Sequence, residues 1–231
     1  MPTNIARGIF ITGTDTGVGK TLASCLLMDA LIKQGNNVVG MKPIASGGEK
    51  ANGALKNDDA IKLIEHANVD APYQLVNPYC FEPPIAPHIA ARQSNQQIDL
   101  LVIEQAYNDL TKQADWVIVE GVGGWSVPIN KQETTADIPS RLNLPVILVV
   151  GMKLGCINHA LLTAEAIRAS DNNLIGWIAN QIDLEMRAYN ENLTTLNEML
   201  GSPLIACVPH WVGGHSDPNK PTNIDLNILE S

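Results

Sequence analysis

Lys20 and Thr21 close the run IFITGTDTGVGKT, which spans Ile9–Thr21. An apolar stretch, a glycine-punctuated loop and a Lys-Thr pair opening a helix form an anion cradle. Backbone N–H groups converge on one phosphate, with an ammonium and a metal-holding hydroxyl beside them. Gly17 and Gly19 permit close backbone approach, with Val18 between them and Leu22 beginning the helix. Lys20 can reach β- and γ-phosphates and Thr21 can ligate Mg²⁺. The run predicts a nucleoside triphosphate site.

The spacing is a variant. The pattern G-x-x-x-x-G-K-[ST] calls for glycine where Thr14 stands; here Gly13 comes one residue early. Partition ATPases of the MinD and ParA type carry a signature lysine where this chain has Asp15. A carboxylate there cannot neutralise a γ-phosphate across a dimer, which argues against that group.

Three further positions carry charge next to apolar runs. Lys42 follows Val38–Met41 and precedes Pro43 and the small-residue run Ala45-Ser46-Gly47-Gly48. Position alone reads equally well as an edge lysine on a loop. Glu120 follows Trp116–Val119 and precedes Gly121, Val122, Gly123 and Gly124. Apolar residues ending in a carboxylate form a Walker B arrangement, and an ionised group there needs a partner. Bound Mg²⁺ would serve, as would a structural salt bridge. In Lys56-Asn57-Asp58-Asp59 the spacing suggests Asp58 as helix cap and Asp59 facing a metal, with two solvated cap residues as the alternative.

The elements that must position these groups alternate along the chain. Apolar runs at Ile9–Thr12, Val38–Met41, Trp116–Val119, Val146–Val150, Leu174–Ala179 and Leu204–Val208 read as strands. Helical patterns occupy Lys20–Gln34, Asp58–Ala67, Ile98–Gln113, Ile157–Ser170 and about Glu185–Leu200. Strands apolar throughout imply a sheet covered on both faces. The expected fold is α/β: three layers, P-loop NTPase-like, doubly wound around a mainly parallel sheet. Ligands of such sheets sit beyond the carboxyl ends of the strands, where Lys42 and Glu120 fall.

Composition narrows the function class. At 231 residues, a single domain over 1–231 is expected. A net charge of −9 without a basic run argues against a nucleic-acid partner. Pro145–Met152 is too short to span a bilayer, so no membrane partner is expected, and Met1–Arg7 lacks a signal-peptide profile. Scattered Cys25, Cys80, Cys156 and Cys207 suit a reducing cytoplasm. The five histidines show no metal-ligand spacing. Such an acidic chain must concentrate its lysines where ATP binds; Lys20, Lys42 and Lys153 are the candidates.

GTDTGVGKT, MKPIASGGEK, NDDA, VNPY with APHI, ADWVIVEGVGGW, PVILVVGMKLGCINHALLT and GWIAN occur here in the order found in dethiobiotin synthetases. On these motifs, from Ile9 to about Trp211, the chain resembles that family. The resemblance implies a homodimeric ligase of biotin synthesis that uses ATP-Mg²⁺, 7,8-diaminononanoate and CO2 or bicarbonate. It implies that Thr21, Asp59 and Glu120 hold the metal, that Lys42 acts in catalysis with Lys20, and that Ser46 and Thr16 contact diamine or carbamate. It places Asn180, Gln181 and the Pro209-His210-Trp211 loop around adenine, although a strand-end Asn also suits a turn. Gly155, Cys156, Ile157 and Asn158 would hold the substrate carboxylate across the dimer interface, or simply cap a helix. Relatives often carry Glu at the position of Gly17, and some carry an aromatic residue where Asn192 stands, with Tyr189 one turn earlier.

Two other classes compete. A cobyrinic-acid-type amide ligase usually carries an added glutaminase domain, for which this chain has no room. A nucleotide-switched positioning protein is opposed by Asp15.

Overall fold

The structure, a computed structural model, describes residues 7–51, 53–210 and 223–229. In chain order the first half contains β1 (Arg7–Gly13), α1 (Lys20–Lys33), β2 (Val38–Met41), β3 (Ile44–Ser46), β4 (Glu49–Ala51), β5 (Ala54–Lys56), α2 (Asp58–Glu65), α3 (Tyr73–Val76), β6 (Tyr79–Phe81), α4 (Pro87–Gln93) and α5 (Leu100–Leu110). The second contains β7 (Trp116–Glu120), α6 (Asp137–Leu142), β8 (Val146–Met152), α7 (Cys156–Ala169), β9 (Leu174–Gln181), α8 (Tyr189–Met199), β10 (Leu204–Val208) and a 3-10 turn at Leu226–Leu229.

Six strands form one sheet in the order β10-β9-β8-β1-β7-β2, and every neighbouring pair is parallel. Side chains alternate across a strand, so each strand feeds two cores. Ile9 and Ile11 of β1, Ile118 of β7, and Ile147 and Val149 of β8 pack toward α1. Phe10, Val117, Val119, Leu148 and Val150 pack with residues of α5, α6, α7 and α8 on the opposite face. Apolar side chains on both faces explain the lack of alternation in the sequence; the result is a three-layer, doubly wound α/β fold.

Helix boundaries follow local chemistry. Leu, Ala and Met favour α1, which ends where Gly35 N–H donates to Ile32 O and Asn36 N–H to Leu31 O, a Schellman closure. α5 starts at Leu100 rather than Ile98 because the Asp99 carboxylate accepts the Leu101 N–H at 2.8 Å. α2 corrects the expected cap. Asn57, not Asp58, occupies that position, accepting N–H donors from Asp59 at 3.1 Å and Ala60 at 3.4 Å, while Asp58 is exposed.

β1 sits inside the sheet with β7 on one side and β8 on the other. From β1 the chain passes to β2 at the edge, returns to β7 between them, and then crosses β1 to wind outward through β8, β9 and β10. Ligands of such a sheet bind beyond the carboxyl ends of the strands, where the loops after β1 and β7 lie. Among the described residues, no helix is long and apolar enough to cross a membrane.

Candidate active site

The loop between β1 and α1 wraps around the place where a phosphate would lie. A Cβ at Gly13 would come within 2.6 Å of Val18 Cγ2, so the early glycine allows this tighter loop to close. Gly19 combines a φ of +90° with Asn180 Nδ2 only 2.1 Å from where its Cβ would stand. Neither position tolerates a side chain without rearrangement.

The Lys20 ammonium is buried and donates to Asp15 O at 2.9 Å and Gly123 O at 2.6 Å, bridging the phosphate loop to the turn after β7. Burial, followed by repulsion from Lys42, pushes its pKa down to about 8 against the pull of Glu120, Asp59 and Asp15. Thr21, one residue on, donates its hydroxyl to Glu120 Oε1 at 2.9 Å.

Lys42 and Glu120 meet across adjacent strands. β2 pairs with β7, and these residues lie at the carboxyl ends of the two strands. The Lys42 ammonium donates to Glu120 Oε1 at 2.6 Å and to Gly121 O at 3.1 Å, and lies 3.0 Å from Asp59 Oδ2. Burial alone would lower its pKa, but Glu120 and Asp59 outweigh that penalty and raise it above the ordinary lysine value. Burial raises the Asp59 pKa; Lys42 and then Thr21 more than reverse this, leaving it below the usual carboxylate value.

Among the described residues, four buried side-chain polar atoms have no protein partner, and two of them, Glu120 Oε2 and Ser46 Oγ, belong to this site. Both residues line a cleft of about 750 Å³, together with Thr16, Gly17, Gly19, Lys20, Thr21, Lys42, Asp59, Val122 and Gly123. An orphaned carboxylate oxygen beside the Thr21 hydroxyl suits a divalent cation. Among the described residues no group of three or more His, Cys, Asp or Glu could hold a metal. Thr21, Asp59 and Glu120 could therefore supply part of an Mg²⁺ sphere, with phosphate oxygens and water completing it.

The remaining described candidates are not among the residues that line this cleft. Val18 is buried, and its carbonyl accepts the Asn180 amide at 2.8 Å. Asn180 and Gln181 lie inside β9, which runs beyond the expected end at Ala179. Gln181 O lies 3.1 Å from His210 Nδ1, beside Pro209. Trp211 lies outside the described residues. Leu22 is half-buried on α1, and Gly121 N–H donates to Ile11 O at 2.9 Å. Gly155, Cys156, Ile157 and Asn158 open α7 and do not line the cleft. Lys153, just before them, lies 3.8 Å from Asp15 Oδ2. Leu154 is 95 % exposed. The sequence reading missed Tyr73 and Asn77, which stand behind Lys42, and the cleft-lining segment Pro84–Pro87. The helix-opening proline at Pro87 was a signal for the latter.

The family model described as an AAA domain matches residues 7–212. An ATP-dependent dethiobiotin synthetase of Aromatoleum aromaticum is 48 % identical over 212 residues, 92 % of this chain and 93 % of that one. The protein of the same name from Nitrosospira multiformis is 50 % identical, with 89 % of each chain covered. The chain belongs to the dethiobiotin synthetase family. An Escherichia coli member is 43 % identical, covering 97 % of this chain and 99 % of its own. Membership makes this protein an ATP-dependent ligase.

Solved structures agree on the fold. The MinD cell division protein of Aquifex aeolicus superposes with a TM-score of 0.54 at 19 % identity, over 89 % of this chain and 83 % of that one. A ParA family ATPase of Chlorobium tepidum gives 0.55 at 14 % identity, over 90 % and 86 %. Asp15 at the signature-lysine position separates this synthetase family member from that type, despite the shared P-loop fold.

Proposed function

We propose that this protein, acting as one domain over residues 1–231, closes the ureido ring of dethiobiotin from 7,8-diaminononanoate, CO2 and ATP. The observation that carries the reading is the placement of Lys42, which lies in one cleft with Lys20, Ser46, Asp59 and Glu120. That cleft gathers cations where a carbamate and a triphosphate must touch.

The chemistry requires a neutral amine. At pH 7 an alkyl amine is neutral in about one molecule in a thousand, a handicap of roughly 4 kcal/mol. Repulsion between neighbouring ammonium groups of the diamine, reinforced by Lys42, lowers the first pKa. The N7 amine attacks CO2 and loses a proton, giving a carbamate. One carbamate oxygen takes the γ-phosphoryl group of ATP, and ADP leaves. The second amine then attacks the carbonyl carbon and loses a proton, expelling phosphate and closing the ring.

Lys42 stabilises the carbamate, Lys20 the phosphates, and the Ser46 hydroxyl supplies a hydrogen bond from the cleft wall. Thr16 offers a further contact at the loop. Thr21, Asp59 and Glu120 hold Mg²⁺, which supplies positive charge against carbamate–phosphate repulsion. Asn180, Gln181, Pro209 and His210 border the adenine. Gly155–Asn158 present the N-terminus of α7 to the substrate carboxylate across a homodimer, since they lie outside the protomer's own cleft. We place this biotin-pathway reaction in the cytoplasm.

Labelled bicarbonate tests the reading. Label should enter an acid-stable ring product only with diaminononanoate and ATP-Mg²⁺ both present, with little ATP hydrolysed without the diamine. ATP turnover indifferent to the diamine would instead identify a nucleotide switch.

A further inference from the structure

β2 is the edge strand of the main sheet, paired on one side only. Lys42 follows its last residue, so its backbone lacks a strand neighbour on the outer side. An edge of this kind leaves N–H and C=O groups to be satisfied from elsewhere. The end of α3 and the segment joining it to β6 do so. Lys42 N–H donates to Val76 O at 2.7 Å, and the Asn77 side chain donates from Nδ2 to Lys42 O at 2.6 Å and to Tyr79 O at 3.1 Å.

Asn77 is 3 % exposed and does not line the cleft. Its Oδ1 accepts the Tyr73 hydroxyl at 2.8 Å. That hydroxyl in turn accepts the backbone N–H of Asn57, also at 2.8 Å. Asn57 is the cap of α2, whose second residue is Asp59. One hydroxyl therefore ties the start of the helix bearing Asp59 to the amide holding the Lys42 backbone, and the two ends meet again in the 3.0 Å Lys42–Asp59 pair.

We propose that the half-buried Tyr73 and the buried Asn77 are positioning residues, a relay that sets Lys42 and Asp59 in register for the carbamate and its phosphorylation. The residue types fit the task. Tyrosine can accept and donate through one oxygen, and asparagine can accept on one side while donating twice on the other. Phenylalanine can do neither, and aspartate would lose both donors. A shift of Lys42 by about 1 Å is enough to cost turnover when the reaction depends on placement.

The relay rests on the ring-closing reading, so its test needs a measurement apart from turnover. In ¹⁵N-lysine-labelled protein, the Lys42 Nζ resonance is assigned by its loss in Lys42→Arg. Tyr73→Phe should move that resonance and lower kcat at least tenfold, with KM for ATP within twofold. Tyr107→Phe, a buried tyrosine on α5 outside the cleft, serves as the control. It should change neither quantity, however much Tm it loses. Asn77→Ala, the harsher variant, should move the same resonance further. An unmoved resonance in both variants overturns the relay, as does a Tyr73→Phe enzyme with kcat within twofold of the parent. If the parent itself turns over no diaminononanoate, the ring-closing reading fails, and the resonance alone decides the relay.

Discussion

Lys42 and Glu120 form a buried ion pair at 2.6 Å, their side chains 4 % and 1 % exposed. The pair joins the ends of two neighbouring parallel strands directly under the phosphate loop. A buried carboxylate that loses its cation destabilises the fold, whereas one that exchanges it for another cation does not. The pair thus keeps the two buried charges balanced before nucleotide arrives, and under the proposed reaction Mg²⁺ would take over part of that balance at Glu120.

Lys42→Ala separates these roles. Turnover should fall at least a thousandfold while ATP affinity stays within about threefold, because the nucleotide cradle is left intact. The apo protein should lose about 3 kcal/mol of stability, the low end for breaking a buried pair, since Asp59 is 38 % exposed. Millimolar Mg²⁺ with ATP should restore most of that loss. Single-turnover assays and denaturant melts check both halves, and an active variant removes Lys42 from the chemistry.

Glu120→Gln keeps the shape of the side chain and removes its charge. Glu120 Oε2, buried and without a partner, is the oxygen best placed to take a divalent ion. The Mg²⁺ concentration for half-maximal activity should rise at least tenfold. An unchanged metal titration assigns Glu120 to holding Lys42 and nothing more.

Lys20, as the proposed phosphate ligand, should make triphosphate binding pH-dependent. Its pKa of about 8 in the nucleotide-free protein lies below the ordinary lysine value. The folded state therefore releases this proton before the unfolded chain does. This group disfavours folding below pH 8, and that penalty relaxes as pH rises from about 8 toward the unfolded value. Phosphate raises the Lys20 pKa again, so nucleotide binding should take up protons above pH 8. Affinity should weaken by up to about tenfold per pH unit there. Calorimetry at pH 8.5 in two buffers of different ionisation enthalpy reads the uptake, and a proton count of zero contradicts it.

Gly19→Ala should disrupt the nucleotide cradle. The new Cβ would meet Asn180 Nδ2 at 2.1 Å, on a backbone with φ of +90°. The displaced amide then loses Val18 O, its 2.8 Å partner. Nucleotide affinity should drop at least tenfold, measurable by fluorescent-nucleotide titration. Gly17→Ala is the comparison, because nothing lies within 4 Å of that Cβ.

What the sequence discloses depends on how local its cause is. Strands buried on both faces announce themselves as unbroken apolar runs, as in Val146–Val150, and the phosphate loop is one contiguous motif. The two-stranded pairings of β3 with β6 and of β4 with β5 were not legible, nor were the short helices α3, α4 and α6. Segments of three to seven residues carry too little of a period to read, and tertiary contacts decide their state. At the start of α2, Asn57, Asp58 and Asp59 are all cap formers, so spacing could not select among them. Asn77 sits in an Asn-Pro pair that reads as a turn, and only the neighbouring edge strand reveals why an amide is needed there.

The α7 terminus yields the last prediction. Gly155–Asn158 lie outside the cleft of their own protomer, yet the adjoining Lys153 reaches to within 3.8 Å of Asp15 in the phosphate loop. A substrate carboxylate bound there must come from a chain extending out of the cleft, and the 95 % exposed Leu154 beside it suits burial by a second copy. Mixing Asn158→Ala subunits with Lys20→Ala subunits should then regenerate working sites. In a hybrid dimer one of the two sites receives both defects and the other receives neither, so activity should recover to about a quarter of the parent's after random re-assortment of equal amounts, since half of the dimers are hybrids with one intact site each. Re-assortment shown by native mass spectrometry without any recovered activity would mean that each protomer anchors its own substrate.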